Sequence, residues 1–289
     1  MDYKINMLQK TILDIYIEFN RICEKYQLTY YAIGGTCIGA IRHKGFIPWD
    51  DDLDVAMPID DYLKFKEVAK KELKSEYKLI DYLDSKRFYR NNFFLKIENV
   101  NTTFVEKVES NDIRKYKGVF LDIMPICGCS KDDKKKHKLI RRFYKYRKLN
   151  QSKNLKFNEM KSLKGKILWI FLKPFVFFQN ETYFLNKCEQ LAKKNPINKN
   201  SNILFPWRIP VRASYKNNFP FEYFKGTVSM PFENTYIKCP IGYDSYLKDD
   251  FGDYMVLPPV EKRITHAPFL LDLNNSYIKY QEKDYKDND

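Results

Sequence analysis

Hydrophobic positions recur with two different spacings in the first 130 residues, and these spacings predict the order of the elements. Between residues 5 and 27 the apolar side chains recur every three or four positions, as on one face of an amphipathic helix. Residues 36–42 and 60–74 predict two further helices. Short apolar runs bounded by glycine, proline or polar residues predict strands at 29–33, 53–57, 77–82, 92–98, 102–108 and 118–124. The pattern indicates an α+β fold with a mixed sheet flanked by helices.

The later part of the chain follows a different pattern. Pro125 is expected to end the last of these strands, and residues 131–195 read as helical and very basic. The apolar run 167–178 is too short to span a bilayer and is broken by Lys173-Pro174. An interfacial anchor and a buried core helix are both compatible with that run.

The charge and cysteine content of the chain limit the kinds of partner and compartment that we expect. The chain has 289 residues and a net charge of +14, and residues 131–173 hold 16 Lys/Arg against 3 Asp/Glu. Such a block indicates a polyanionic partner, either anionic lipid headgroups or nucleic acid. The six cysteines contain no CxxC pair, and the N-terminal residues lack the apolar core of a signal peptide. A reducing cytoplasm is therefore the expected compartment.

Four aspartates lie within residues 50–54 and carry the strongest chemical signal. Alternate residues of an extended chain share a face, so Asp50, Asp52 and Asp54 should point one way and Asp51 the other. Leu53 then faces the core. This arrangement is typical of a strand at the lip of an active site.

A fifth carboxylate interrupts the apolar run at 118–124. Asp122 would be costly to bury there unless it is paired or bound to a metal. If its strand lies beside residues 52–56, Asp52, Asp54 and Asp122 form a three-carboxylate site for Mg²⁺ or Mn²⁺, suited to phosphoryl transfer. The alternative is a solvated acidic turn and a salt-bridged Asp122. The combined pattern favours the metal site.

Gly34, Gly35 and Thr36 stand between a predicted strand and a predicted helix. Backbone amides at such a turn can approach a phosphate closely, and a helix N-terminus favours anions. The alternative is an ordinary strand-to-helix connection.

Three segments together resemble the LicD family. They are residues 34–54 (GGTCIGAIRHKGFIPWDDDLD), residues 120–125 (FLDIMP) and the late run 243–266, which includes FGDYM and LPPVEKRITH. The first segment is long and specific, and the three together reach across nearly the whole chain. Residues 131–225 match least.

The resemblance implies a fold and a reaction. LicD proteins have a nucleotidyltransferase-like fold, so the expectation is one catalytic domain over 1–289, with its core in 1–130 and 226–275 and a basic helical insertion at 131–225. They transfer an alcohol phosphate, typically phosphocholine from CDP-choline, to a sugar of a surface glycan such as lipopolysaccharide, teichoic acid or capsule. CMP is released. Glycerol, ribitol and ethanolamine donors stay open alternatives.

The resemblance also implies roles for particular residues. Asp52, Asp54 and Asp122 would bind the Mg²⁺ or Mn²⁺, and one of them or Asp50 would deprotonate the acceptor hydroxyl. Cationic residues that could contact the diphosphate or the acceptor are Arg42, His43, Lys44, Lys262, Arg263 and His266. A basic surface loop is the alternative for the first three, and a structural role for His266. Lys96 is a candidate nucleotide contact, or else a strand-edge lysine.

Two other functions remain open. Transfer of a nucleoside monophosphate from an NTP would release pyrophosphate. A non-enzymatic nucleic-acid-binding module would explain the basic block and its aromatic residues but would leave the carboxylates unexplained. We favour an anionic membrane as the partner of the basic block over nucleic acid, because glycan acceptors are commonly built on lipid carriers. The expected location is the cytoplasm, with peripheral contact at the inner face of a bacterial membrane.

Overall fold

The computed structural model describes residues 5–82, 93–106, 116–152, 182–209, 216–263 and 268–286, with single positions between 170 and 180. The helices in these residues are α1 (Ile5–Lys25), α2 (Gly34–Arg42), α3 (Ile59–Glu72), α4 (Asp133–Ser152), α5 (Tyr183–Lys193), α6 (Tyr243–Phe251) and α7 (Tyr277–Lys286). The strands are β1 (Tyr31–Ala32), β2 (Asp54–Pro58), β3 (Tyr77–Ile80), β4 (Leu95–Asn99), β5 (Thr103–Val105), β6 (Phe120–Ser130), β7 (Ser201–Leu204), β8 (Asn218–Phe219), β9 (Thr227–Phe232), β10 (Thr235–Pro240) and β11 (Leu270–Asp272). The predicted α+β class is confirmed.

The chain forms two compact units. The first contains Met1–Asp81, Leu95–Met124 and Glu222–Asp289, and the second contains Tyr82–Phe94 and Pro125–Phe221. The predicted apolar runs account for most elements of the first unit. The helix predicted over 36–42 begins two residues earlier, at Gly34.

The first unit is built on a sheet with strand order β1-β2-β6-β4-β3. Strands β1 and β2 are antiparallel, as are β6 and β4, and β4 and β3. A hairpin of β9 and β10 and a short pair of β5 and β11 complete its strands among the described residues. The sheet therefore places β6 directly beside β2, the strand that follows the acidic window.

The apolar face of α1 forms much of the core of this unit. Phe19 is fully buried, and its ring lies 5.0 Å from that of Tyr30 and 5.1 Å from that of Phe65 on α3. Such clustered aromatic side chains contribute large buried areas and favourable ring geometry. The α1 helix predicted from the three- and four-residue spacing is confirmed.

The prediction that a strand ends at Pro125 is wrong, because β6 continues to Ser130. Proline lacks the backbone donor that a sheet ladder needs. In β6 the pairing with β4 covers 120–123, and the pairing with β7 covers 127–130. Pro125 lies between the two pairings, where no donor to these two strands is required.

The second unit holds the C-terminal half of β6, with β7 and β8 beside it, and the two helices α4 and α5. Phe143 of α4 is fully buried and stacks on Phe93 with 6.2 Å between ring centroids. Arg147 is also buried and donates to the carbonyl oxygens of Pro206 and Trp207. Most of the apolar run 167–178 lies outside the described residues, so the choice between its two interpretations stays open.

None of the helices in the described part of the chain is both long enough and apolar enough to cross a membrane.

Candidate active site

The acidic window alternates as the sequence predicts. Asp50, Asp52 and Asp54 are half-buried, whereas Asp51 is only 4% exposed and shares the buried face with Leu53. The first three carboxylates therefore lie on one side of the chain, at the entry to β2. Asp51 is a buried acid that the sequence reasoning set aside, although the same alternation places it on the apolar side.

Asp122 joins this group because β6 lies beside β2. Its backbone amide donates to the carbonyl of Leu53 at 3.1 Å, which places Asp122 level with the window. Burial raises the pKa of Asp54 well above its usual range, and the charges of Asp52, Asp122 and Asp50 raise it further. The structure thus brings together all four of the carboxylates predicted to be catalytic.

A lysine faces Asp122 from the neighbouring strand. Lys96 is the register partner of Asp122, and its Nζ lies 2.5 Å from the Oδ1 of Asp122 and 3.5 Å from the ring centroid of Phe120. Lys96 is 5% exposed and sits on β4, between β6 and β3. The interpretation of Lys96 as a strand-edge lysine is therefore wrong. Asp122 forms a salt bridge in the structure, as the alternative to the metal site predicted.

Lys117 extends this cluster and was not singled out from the sequence. Its side chain is 2% exposed, pairs with Glu106 at 2.7 Å and lies 4.9 Å from the ring centroid of Phe120. Burial raises the pKa of Asp122, while the charges of Lys96 and Lys117 lower it. Fully buried lysines are rare, and the local sequence pattern does not indicate that Lys117 is one of them.

The glycine turn packs against the acidic window. Gly34 has a φ of +56°, and its N–H donates to the hydroxyl of Tyr246 at 3.1 Å. A β-carbon at Gly35 would lie 2.7 Å from Oδ2 of Asp50, so only glycine leaves room for this carboxylate. In the structure this turn makes room for Asp50, and phosphate binding by these residues stays a prediction.

Two side chains fix the backbone of the window. The hydroxyl of Thr36 accepts a hydrogen bond from the N–H of Asp54 at 2.8 Å. Gln9 of α1 donates its Nε2 to the carbonyls of Ile47 and Asp50, at 3.1 and 2.9 Å. Gln9 was missed from the sequence because its partners lie about forty positions away.

Arg42 and His43 form the first part of a cationic group. Arg42 donates from Nη1 to the carbonyls of Tyr254 and Val256 and from Nε to Nε2 of His43, at 3.0 Å. Burial and the charge of Arg42 lower the pKa of His43. His43 is therefore neutral at pH 7 and accepts at Nε2, which places its proton on Nδ1.

Arg263 supplies a second guanidinium group. It lies 4.8 Å from the ring centroid of Trp49, the residue before Asp50, and its Nε donates to the carbonyl of Pro258 at 3.0 Å. Burial and the charge of Arg263 lower the pKa of Arg42, so the two like charges are close. The basic-surface-loop alternative does not describe Arg42, which is part-buried and held by this contact network.

The remaining predicted cations are Lys44, Lys262 and His266, and the described ones make fewer contacts than Arg42 and Arg263. Lys44 has a φ of +57° and an exposed side chain, and Lys262 is exposed at the end of a short 3₁₀ turn. His266 lies outside the described residues, so its predicted role is not placed. Neither Lys44 nor Lys262 forms a salt bridge within the described part of the chain.

The chemistry of the carboxylate group fits a hard divalent cation. Oδ1 of Asp122 is buried and forms a salt bridge with the ammonium of Lys96, 2.5 Å away. Oxygen ligands are those that Mg²⁺ and Mn²⁺ prefer. Among the described residues, no three His, Cys, Asp or Glu side chains are arranged to coordinate a metal. The cation that Asp122 meets in the structure is the ammonium of Lys96.

The chain is similar to known proteins over this region and beyond it. Residues 27–161 match the family profile described as "LicD/FKTN/FKRP, nucleotidyltransferase domain". The lipopolysaccharide cholinephosphotransferase LicD of Haemophilus influenzae is 31% identical over 269 residues, covering 89% of this chain and 94% of that protein. An uncharacterized protein of Rickettsia typhi is 33% identical over 69 residues, covering 23% of this chain and 22% of that protein.

An uncharacterized protein of Rickettsia prowazekii is 35% identical over 49 residues, which is 17% of this chain and 18% of that protein. These two matches are local, whereas the match to the Haemophilus protein runs over nearly the full length of both chains. The family profile covers the acidic window, Lys96 and Asp122. On this evidence the chain belongs to the LicD family.

Proposed function

We propose that this protein transfers an alcohol phosphate, in the first place phosphocholine, from a CDP-activated donor to a sugar hydroxyl of a cell-surface glycan. The observation that carries the proposal is the convergence of Asp50, Asp52, Asp54 and Asp122 in a LicD-family domain. The near-full-length relative is a lipopolysaccharide cholinephosphotransferase, which supports phosphocholine and a glycan acceptor.

The reaction needs no covalent intermediate. The acceptor hydroxyl oxygen attacks the β-phosphorus, which bears the alcohol, and a new P–O bond forms. The bond from the β-phosphorus to the bridging oxygen breaks, and that oxygen leaves with CMP. The hydroxyl proton passes to a carboxylate of the cluster. Asp50 is suited to this role because it belongs to the cluster but not to the proposed metal ligands, and Gly35 leaves room for its carboxylate.

The same proposal assigns Asp52, Asp54 and Asp122 to a Mg²⁺ or Mn²⁺ ion. When bound, such an ion neutralises charge on the diphosphate as the leaving group departs. Burial and the charges of the neighbouring carboxylates raise the pKa of Asp54, which supports this assignment because a cation relieves the repulsion. Lys96 would then be released from Asp122 to contact the donor nucleotide.

The cations Arg42 and Arg263 would hold the donor diphosphate. Each guanidinium uses part of its donors on loop carbonyls and forms no salt bridge with a described residue. Its remaining N–H groups can bind phosphate oxygens in a fixed orientation. Lys44, Lys262 and His266 would add charge around the same ligand, and neutral His43 would orient Arg42.

The acceptor is proposed to be a glycan on a lipid carrier, as in lipopolysaccharide, teichoic acid or capsule. The protein would then work in the cytoplasm, in peripheral contact with an anionic membrane. Glycerol, ribitol and ethanolamine phosphates are the competing cargo, and each would come from its own CDP-linked donor. The carboxylates argue against a module that only binds nucleic acid, because they have no part in such binding.

The test is to incubate the protein with Mg²⁺, a purified glycan acceptor and CDP-choline, and to follow CMP and the mass of the glycan. We expect one CMP to be released for each phosphocholine that is added to the glycan. Parallel reactions with CDP-glycerol, CDP-ribitol and CDP-ethanolamine identify the cargo. Pyrophosphate release from an NTP, with no CMP from any CDP-alcohol, would overturn the proposal.

A further inference from the structure

Helix α4 has two faces of opposite character. Its buried residues, Leu139, Phe143, Arg147 and Asn150, are three or four positions apart and form one stripe. On the other side lies a set of exposed cations that we call the basic face: Lys134, Lys138, Arg141, Arg142 and Lys145. Residues 134, 138, 141 and 145 are also spaced by three or four, so they form a second stripe away from the core.

The basic face lines a groove. Its volume is about 620 Å³, and it is lined by Asp133, Lys134, His137, Lys138, Arg141, Arg142 and Lys145. Asp133, the one acid of this lining, lies 2.6 Å from Nζ of Lys136. The described lining of the groove is therefore strongly positive, and the one carboxylate among these residues is already paired.

This arrangement weakens the helix slightly, and a bound anion would relieve the repulsion. Like charges four positions apart on a helix repel, and the basic face contains three such pairs, at 134/138, 138/142 and 141/145. None of the five cations forms a salt bridge with a residue in the described part of the chain. Among the described residues, this exposed face thus concentrates five positive charges that have no carboxylate paired with them.

We propose that the basic face of α4 docks the protein on an anionic phospholipid bilayer. Each lysine or arginine near such a surface adds to the attraction, and a row of five cations on one face can meet a plane of phosphates together. This docking goes beyond the transfer reaction and rests on the proposed function only for its purpose, which is access to a lipid-linked acceptor.

The character of α4 favours a lipid surface over single-stranded nucleic acid. Proteins that bind such strands combine cations with aromatic side chains on which bases stack. The structure describes all of α4, and Tyr144 is the exposed aromatic residue of this helix. The Nζ of Lys148 lies 5.8 Å from the ring centroid of Tyr144. Helix α4 therefore lacks the row of exposed aromatic side chains on which successive bases would stack.

The experiment measures vesicle binding of the full chain without substrates. Wild type is sedimented with neutral phosphatidylcholine vesicles and with vesicles containing one quarter phosphatidylglycerol. The test variant carries Arg141→Glu, Arg142→Glu and Lys145→Glu. The matched control carries Lys193→Glu, Lys194→Glu and Lys199→Glu, which make the same charge change at exposed positions of the same unit.

We expect wild type and control to bind the anionic vesicles, with weaker binding at high salt, and the test variant to bind at least about tenfold more weakly. A milder variant, Lys138→Gln with Arg142→Gln, should show the same direction if the triple variant folds poorly. CMP release with a water-soluble acceptor should be unchanged in the test variant. This separates a failure of docking from a failure of the proposed reaction.

Three results would overturn the proposal. One is wild-type binding that does not prefer anionic vesicles. Another is an equal loss of binding in test and control variants, which would assign the effect to net charge. The third is unchanged vesicle binding in the test variant together with loss of RNA or DNA binding, which would assign the basic face to nucleic acid.

Discussion

Like charges crowd together in two regions of this chain, and the two regions differ in their access to water. Around β2, four carboxylates meet in a part-buried cluster where Asp54 has a strongly raised pKa. On α4, five cations stand side by side in solvent. Two unit charges 4 Å apart interact by about 1 kcal/mol in water but about 4 kcal/mol at an effective dielectric constant of 20. Equal crowding is thus tolerable on α4 and costly at β2.

This difference teaches what each region needs. In our proposal the part-buried cluster binds a compact cation at a fixed position, such as a divalent metal. The exposed row is proposed to bind a spread-out anionic partner, the lipid surface. Variants in each region test whether the two differ in this way.

The largest effect is expected for Asp54→Asn. This change removes one proposed metal ligand, and we expect CMP release to fall by on the order of 10³-fold. The free energy of unfolding of the metal-free protein should be unchanged or higher, because a repelling charge is gone. Asp60→Asn, at an exposed position of α3, is the control and should keep full activity. Activity above a tenth of wild type in Asp54→Asn would contradict the account.

Removing a buried cation should cost more than removing an exposed one. Lys96→Gln leaves Asp122 without its 2.5 Å partner, and we expect the metal-free protein to lose about 3 kcal/mol of unfolding free energy. Lys138→Gln on α4 should change stability by at most about 0.5 kcal/mol. Urea denaturation of both variants gives the comparison. Equal losses would show that burial does not separate the two regions.

A smaller effect is expected for Gly35→Ala. Its β-carbon would fall 2.7 Å from Oδ2 of Asp50, so Asp50 must move, and we expect turnover to fall about tenfold. Gly226→Ala is the control, because a β-carbon there meets no atom within 4 Å. Equal activity of the two variants in the CMP assay would mean that the position of Asp50 does not matter.

The smallest effect is a pH dependence of stability. The pKa of Asp54 is raised in the folded state above its unfolded value of about 3.9, so the folded state binds this proton more tightly. Its stabilising contribution is full below pH 4 and is lost as pH rises through the raised pKa, by at most about 1.4 kcal/mol per pH unit. Unfolding measured against pH should show a steeper decline for metal-free wild type than for Asp54→Asn. Parallel curves for the two proteins would contradict a raised pKa of Asp54.

The sequence predicted the parts of the site that follow a local pattern. Alternation placed Asp50, Asp52 and Asp54 on one face, because the strand repeat of two needs no knowledge of distant residues. Asp122 was recognised because a charge within an apolar run is costly. The continuation of β6 beyond Pro125 could not be predicted, since it depends on which neighbour pairs with each half.

The contacts that hold the site were not predictable in the same way. Thr36 accepts from the backbone of Asp54, and Gln9 donates to the backbone of Asp50, across separations that only the folded chain creates. The burial of Lys117 depends on its pairing with Glu106 and its position near Phe120. Sequence therefore indicated the candidate site residues, while packing determined which residues hold them in place.

The most direct test of the central claim is the binding of Mn²⁺ to the purified protein, followed by electron paramagnetic resonance of the free ion. We predict one saturable site in wild type and in Asp60→Asn, and loss of that site in Asp54→Asn. Reversing the charges of Arg141, Arg142 and Lys145 should leave it intact. An absence of saturable Mn²⁺ binding in wild type, or a site that survives Asp54→Asn unchanged, would contradict the account.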